Sequence, residues 1–296
     1  MRIGIVVDEM GPSLEAVVDQ TRAAAAAGFG GVWLAQRTGR DALSALAVAG
    51  REVRGIELGT AVIPTYPRHP LALAAQALTV QEAAGGRLVL GLGVSHRPFV
   101  EGWYGYSFER PARHLREYLS VLGPLLRGES VSYRGETLTA AGAVQVPAPP
   151  PPVLVGALGP AMLRVAGELA DGTITTWATA TALAEHIVPV ITKAAGQRTA
   201  RVVASAPVCL TSDEDRVRAQ LAQDLAMVGQ LPSYRAILDR GRAAGPEDTV
   251  VLGDESRVER EIRRLFDAGA TDFVAVPLGS DEERARTTQL LAALGG

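Results

Sequence analysis

The chain has 296 residues, of which 47% are hydrophobic, 21% charged and 5% aromatic, and 29 Lys+Arg against 32 Asp+Glu give a net charge of −3. That charge excludes broad electrostatic binding to nucleic acid or to an anionic membrane surface. A single cysteine, Cys209, excludes an intramolecular disulfide and any clustered-thiolate metal centre. The length suits two domains of roughly 150 residues each, or one α/β barrel of about 250 residues with additions. Acidic residues, Asp8 and Glu9, follow too soon after the first apolar residues for a secretory core. No stretch approaches about 18 apolar residues, so a cytoplasmic protein is expected.

Runs rich in β-branched residues alternate with Ala/Leu-rich helical stretches along the whole chain. Residues 3–7 form the continuous apolar run of a strand covered on both faces, and the helix over 13–27 stops at Gly28. The second strand falls at 32–35 with its helix at 41–50, and the third at 56–62 with its helix at 70–84. The fourth strand is 88–93, and a long connection, residues 94–108, leads to a helix over 110–126. Residues 130–138 alternate around Gly135 and predict a hairpin insertion. Five prolines within 147–152 predict a stiff lead-in to the fifth strand at 153–155.

A helix over 161–170 follows, then strand six at 172–176 with a helix through Ala194, and strand seven at 201–210 with a helix at 213–228. Residues 229–253, punctuated by Pro232, Gly241, Gly245 and Pro246, read as irregular with short helices. A helix at 255–268, strand eight at 273–276 and a helix at 281–294 close the chain. Eight β/α units predict an α/β fold, a TIM (β/α)8 barrel formed by residues 1–296 as one domain, with insertions after units four and seven at about 128–151 and 229–254. A doubly wound open sheet is the alternative. Dinucleotide binding has little support, because Gly91-Leu92-Gly93 lacks the third glycine of the fingerprint.

In a barrel of this kind, chemistry collects at the carboxyl ends of the strands. Gly156-Ala157-Leu158-Gly159-Pro160 offers small residues, a proline suited to a first helical turn, and free amides that would face an anion; the same residues also make a plain βα turn. His96, after Ser95 at the end of strand four, has the chemistry of a general acid or a ring hydrogen-bonding group, set against the ordinary role of a satisfied loop residue. The four histidines show no ligand spacing, so no metal is expected. Cys209 lacks a basic neighbour and reads as packing. Arg113 and Arg116 brace the fold or approach an anionic ligand, Trp33 and Trp177 flank a planar ring or plug the barrel, and Trp103-Tyr104-Gly105-Tyr106 is a pocket wall or a lid.

Six segments taken in order extend these readings: Gly28-Phe29-Gly30-Gly31-Val32-Trp33, Thr60-Ala61-Val62-Ile63-Pro64, residues 85–93, residues 110–118, Gly156-Ala157-Leu158-Gly159 and Ala170-Asp171-Gly172. Together they resemble the luciferase-like monooxygenase superfamily, and within it the coenzyme F420-dependent oxidoreductases of actinobacteria. The resemblance spans nearly the whole chain. It implies a TIM barrel that binds a deazaflavin or flavin at its carboxyl face, with a non-prolyl cis peptide mapping to Ala61–Val62. It places the cofactor phosphate at Gly156, Ala157, Leu158 and Gly159, and has Ser95, Thr176 and Trp177 line the cofactor.

Two departures stand out. Where many relatives carry an Asp-His pair after strand two, this chain has Gln36-Arg37, and where sugar-phosphate dehydrogenases of the family carry a glutamate after strand four, it has His96. Gln36 is then expected to hydrogen-bond the ring and His96 to donate a proton or anchor the ring, while Arg37 and Arg97 are bases near the groove without an assigned role. The implied activity is hydride transfer between C5 of coenzyme F420 and a small organic substrate. The alternatives are an FMN-dependent monooxygenase and a non-catalytic deazaflavin or flavin carrier or sensor. Substrate walls are expected from residues 94–108 and 229–253, and a homodimer is expected because relatives are often dimers.

Overall fold

A computed structural model describes residues 1–295. Eight strands, β1 (Ile3–Val6), β2 (Gly31–Leu34), β3 (Glu57–Thr60), β4 (Leu88–Gly93), β5 (Val153–Gly156), β6 (Gly172–Thr176), β7 (Arg201–Leu210) and β8 (Asp272–Pro277), pair in parallel with their chain neighbours. β8 also pairs with β1, Ile3 lying beside Phe273, so the sheet closes into the barrel that the spacing predicts. Closure requires the apolar runs to be covered outside by helices and inside by one another, which is why they read as nearly continuous hydrophobic stretches. Among the described residues, no helix is long and apolar enough to cross a membrane.

The departures from the predicted elements have local causes. The third strand does not run unbroken over 56–62: after Thr60 comes a cis peptide, Ala61–Val62, and the two-residue strand Ile63–Pro64 then pairs with Leu92 and Gly93 of β4. Residues 94–108 contain a helix, Arg97–Tyr104, with Pro98 in its first turn and Gly105 at φ 71° ending it in the left-handed region. The hairpin runs later than its sequence pattern, Val131–Arg134 against Thr139–Gly142, because Gly135 N–H donates to Leu138 C=O and places the turn at 135–138. Within 229–253 lie the helix Pro232–Arg240 and a strand, Val251–Gly253, that pairs with the upper half of β7.

Inside the barrel, Trp33, Val89, Leu154, Ile174, Val203 and Val274, one from each of six strands, pack together, with Val6, Ala61 and Val62 against them. Trp33 fills the space left by two glycines: a Cβ on Gly4 or Gly59 would sit on its ring. Arg201 closes the amino-terminal end. Its guanidinium donates to Glu57 at 2.8 Å and to Asp272 at 2.6 Å and lies 5.8 Å from the Trp33 ring centre.

Candidate functional site at the barrel mouth

Side chains two residues apart on a strand share a face, so the layer above the packed plug follows from register alone. Above Trp33, Val89, Leu154, Ile174, Val203 and Val274 come Ala35, Gly91, Gly156, Thr176, Ser205 and Val276. The lower layer is bulky and the upper one mostly small. Ala35, Gly156, Thr176, Ser205 and Val276 are all half-buried, whereas every residue of the lower layer is buried. The barrel is therefore solid below and hollow at its carboxyl end. On the β3–β4 side Val62 fills the space over Gly91 and Gly93, where a Cβ on Gly93 would lie 2.6 Å from Val62 Cγ2.

Around this hollow stand most of the sequence-derived residues. Ser95 and Trp177, at the ends of β4 and β6, both have positive φ, 60° and 54°. Non-glycine residues seldom adopt that left-handed conformation, and when they do it is commonly at functional sites. Trp177 is buried against Leu238 and Ala243, from the helix Pro232–Arg240 and the segment after it. The same helix delivers Tyr234, whose ring lies 4.2 Å from Trp177 and 4.7 Å from His96, centroid to centroid. Ser233 Oγ is 3.4 Å from His96 Nδ1. His96 is thus held from above by Ser233 and Tyr234, and its burial pushes the imidazole pKa below the usual histidine value. Ser233 and Tyr234 escaped the sequence reading because they lie in a Gly/Pro-punctuated stretch, and only the closed barrel brings them beside His96.

At the end of β5, the helix Pro160–Leu169 starts from Gly159 with Pro160 in its first turn and no side chain capping it. Among the described residues, the N–H groups of Gly159, Ala161 and Met162 have no acceptor in the protein. A Cβ on Gly159 would meet nothing within 4 Å, so open space faces these donors. The loop carbonyls, by contrast, are tied back. Thr173 Oγ1 donates to Val155 C=O at 2.8 Å and Ala157 C=O at 3.3 Å, and His186 Nε2 is 2.9 Å from Leu158 C=O. Donors turned toward open space and acceptors turned into the scaffold make a cradle for an anion such as a cofactor phosphate. Nothing in the sequence pattern singles out His186.

Other candidates are engaged in contacts of their own. Gln36 Oε1 accepts from Ala42 N–H at 2.8 Å and so helps cap the helix Ala42–Glu52. Arg37 pairs with the buried Glu9, whose Oε2 has no partner. Arg97 is bound to Glu101 and Phe108 C=O, Arg113 to Glu136 and Arg116 to Glu168, so these three arginines brace the surface. Trp33 plugs the barrel, and Cys209 is buried in apolar packing with its thiol pKa pushed up to about 11 by that burial. Trp103 is exposed, with its ring against Phe99. Beside the mouth lies a cavity of about 540 Å³ that includes Tyr66, Tyr106, Arg110 and His114 in its lining.

Comparison with known proteins agrees with the barrel fold. The model of the luciferase-like monooxygenase family matches residues 1–295. A Mycobacterium tuberculosis protein named for coenzyme F420-dependent oxidoreduction is 39% identical over 165 residues, a match spanning 51% of this chain and only about half (48%) of that protein. The 5,10-methylenetetrahydromethanopterin reductase of Methanolobus tindarius is 27% identical over 87% of this chain and 89% of its own. In structure, the coenzyme F420-dependent tetrahydromethanopterin reductase of Methanopyrus kandleri superposes with a TM-score of 0.80 at 23% identity, covering 98% of this chain and 96% of that one, and so shares the fold. With a family match along its whole described length and the barrel to go with it, the chain belongs to the luciferase-like monooxygenase family.

Proposed function

We propose that the protein is a coenzyme F420-dependent oxidoreductase acting on a small organic substrate. The observation that carries this is the hollow itself: a small-residue layer at the barrel mouth, bounded on one side by the anion cradle at Gly159 and on another by His96 and Trp177. The residues fit a planar ring with a phosphate-bearing tail. Gly156, Ala157, Leu158 and Gly159 with the first turn of Pro160–Leu169 would hold the phosphate, and Ala61, Val62, Ser95, Thr176 and Trp177 would hold the ring. The relatives named for coenzyme F420 support a deazaflavin, and when bound it supplies a hydride at C5.

The protein's own contribution is orientation and exclusion of water. Val62 and the glycines behind it offer an apolar wall, while the helix Pro232–Arg240 covers the rim through Tyr234. His96, kept neutral near pH 7 by burial, hydrogen-bonds the oxygen of the substrate or ring and carries no charge of its own. Gln36 can reach the ring only through its amide nitrogen, because its oxygen is engaged with Ala42. Fluorescence titration with F420 and with FMN tests the cofactor. Substrate-dependent bleaching of the reduced form tests for an enzyme as against a carrier. Tighter binding of FMN, or no bleaching with any substrate, overturns the proposal.

A further inference from the structure

The Gly156–Gly159 loop owes its shape to a residue outside it. After β6 the chain forms the short helix Ala180–Ala182, then a π-helical turn, Leu183–Ile187, and then the helix Val188–Ala195. Such turns are rare, and the extra residue in the loop of the helix changes which side chains point in a given direction. Here the turn carries His186, half-buried, to Leu158 C=O with Nε2 at 2.9 Å. A carbonyl only accepts, so Nε2 carries the proton and donates. Leu158 is the residue before Gly159, whose N–H is one of the free donors.

A peptide plane is rigid, so fixing the Leu158 carbonyl also fixes the direction of the Gly159 N–H on the opposite side of the same plane. Thr173 acts in the same way one residue earlier, through Ala157 C=O. We infer that His186 is a positioning residue for the anion cradle: by holding Leu158 C=O against the π-helical turn it aims the Gly159 amide, and the helix that starts there, at the phosphate of a bound cofactor. This rests on the phosphate reading of the loop in the preceding section. His186 touches no part of the ligand and acts only through the backbone.

The test compares phosphate-bearing ligands with phosphate-free counterparts; FMN and riboflavin differ by the phosphate alone, and F420 differs from its chromophore by the phosphate together with the lactyl-glutamyl tail. Dissociation constants are measured by fluorescence for F420 and FMN, which carry a phosphate, and for the phosphate-free 8-hydroxy-5-deazaflavin chromophore and riboflavin, which do not. In the native protein the phosphate-bearing member of each pair binds more tightly. His186→Phe, which keeps a ring but removes the donor, weakens F420 and FMN by about tenfold, as expected for one lost hydrogen bond, and leaves the phosphate-free ligands within about twofold. His186→Gln, which keeps a donor, restores most of the loss. Should His186→Phe fail to fold, His186→Leu is compared with His186→Gln in its place. Equal weakening of phosphate-bearing and phosphate-free ligands, or no weakening of either, overturns the role of His186 while the cradle stands. A native protein that binds both members of each pair equally overturns the cradle and the role of His186 with it.

Discussion

His96 shows how an environment narrows the chemistry that a residue type leaves open. Burial lowers its pKa, Tyr234 packs on its ring, and Ser233 lies at Nδ1, so Nε2 is the ring nitrogen with no hydrogen-bond partner among the described residues. Replacing His96 by Asn is expected to cut turnover by roughly a hundredfold while changing the dissociation constant for the cofactor by less than about threefold. The acid limb of the pH–rate profile should lie below the ordinary histidine value of about 6.5 and disappear in the variant. His114 gives a second pH signature, this one in stability. Stacked on Tyr66 at 4.0 Å and hydrogen-bonded to Thr65, it has its pKa lowered by burial to about 4. The unfolded chain takes up this proton at a higher pH than the folded one. The stabilisation is therefore complete above about pH 6.5 and is lost as pH falls toward 4, by at most about 3 kcal/mol. Urea unfolding at pH 7.5 and at pH 5 should show a smaller difference between the two for His114→Phe than for the native protein.

The helix Pro232–Arg240 is the element on which the mouth depends. It buries Ile237 and Leu238 and wedges Tyr234 between His96 and Trp177, while Pro232, Ser233, Asp239 and Arg240 are exposed. Few anchors make a segment that opens locally. Tyr234→Ala should cost about 2 kcal/mol of that local stability and raise the rate of limited proteolysis within residues 229–245 by roughly thirtyfold, with global unfolding little changed; an unaltered cleavage rate would show that the tyrosine is not an anchor. The eight barrel strands were legible in sequence to within a residue at most ends because most are short runs rich in β-branched residues set between longer Ala/Leu-rich helical stretches. The helix Arg97–Tyr104 was not, since it is short and lies within a long connection, and Pro232–Arg240 was legible only as a short helix without bounds in a stretch punctuated by Gly and Pro. Of the candidate site, the residues at strand ends, such as Ser95, His96, Gly156–Gly159 and Trp177, were legible from the barrel rhythm. The contacts of Tyr234 and Ser233 with His96 span more than a hundred residues of chain and leave no local pattern.

At the scale of the whole molecule, the barrel separates stability from function along its axis. The amino-terminal end is locked by Arg201 on β7 bridging Glu57 on β3 and Asp272 on β8, with Arg2 adding bonds to both carboxylates. Removing Arg201, the more buried of the two cations that bridge these carboxylates, leaves Glu57 and Asp272 with the half-exposed Arg2 alone, and losses of this kind cost about 3–5 kcal/mol in buried settings. Arg201→Met should therefore lower stability to chemical denaturation by about 3 kcal/mol, reduced by whatever Arg2 recovers. Its folded fraction should bind F420 with unchanged affinity, because the network lies at the opposite end from the mouth. A fall in affinity in that variant would mean that the two ends communicate. The upper layer of Ala35, Gly91, Gly156 and Ser205 could be read from register once the strands were aligned, whereas the ion network could not, since Glu57, Arg201 and Asp272 come from strands distant in sequence.

The three tryptophans occupy three different depths: Trp33 is 2% exposed in the barrel plug, Trp177 is 8% exposed at the mouth, and Trp103 is 57% exposed on its surface helix. The protein therefore carries its own set of optical reporters. Iodide, which collides only with indoles that water can reach, should extinguish the Trp103 component and leave the other two, so a Stern–Volmer plot should curve downward. With Trp103 replaced by Phe, the remaining emission divides between an indole that senses the mouth and one that does not. A ligand entering the hollow would then announce itself in the light from Trp177, without a label or a coupled reaction.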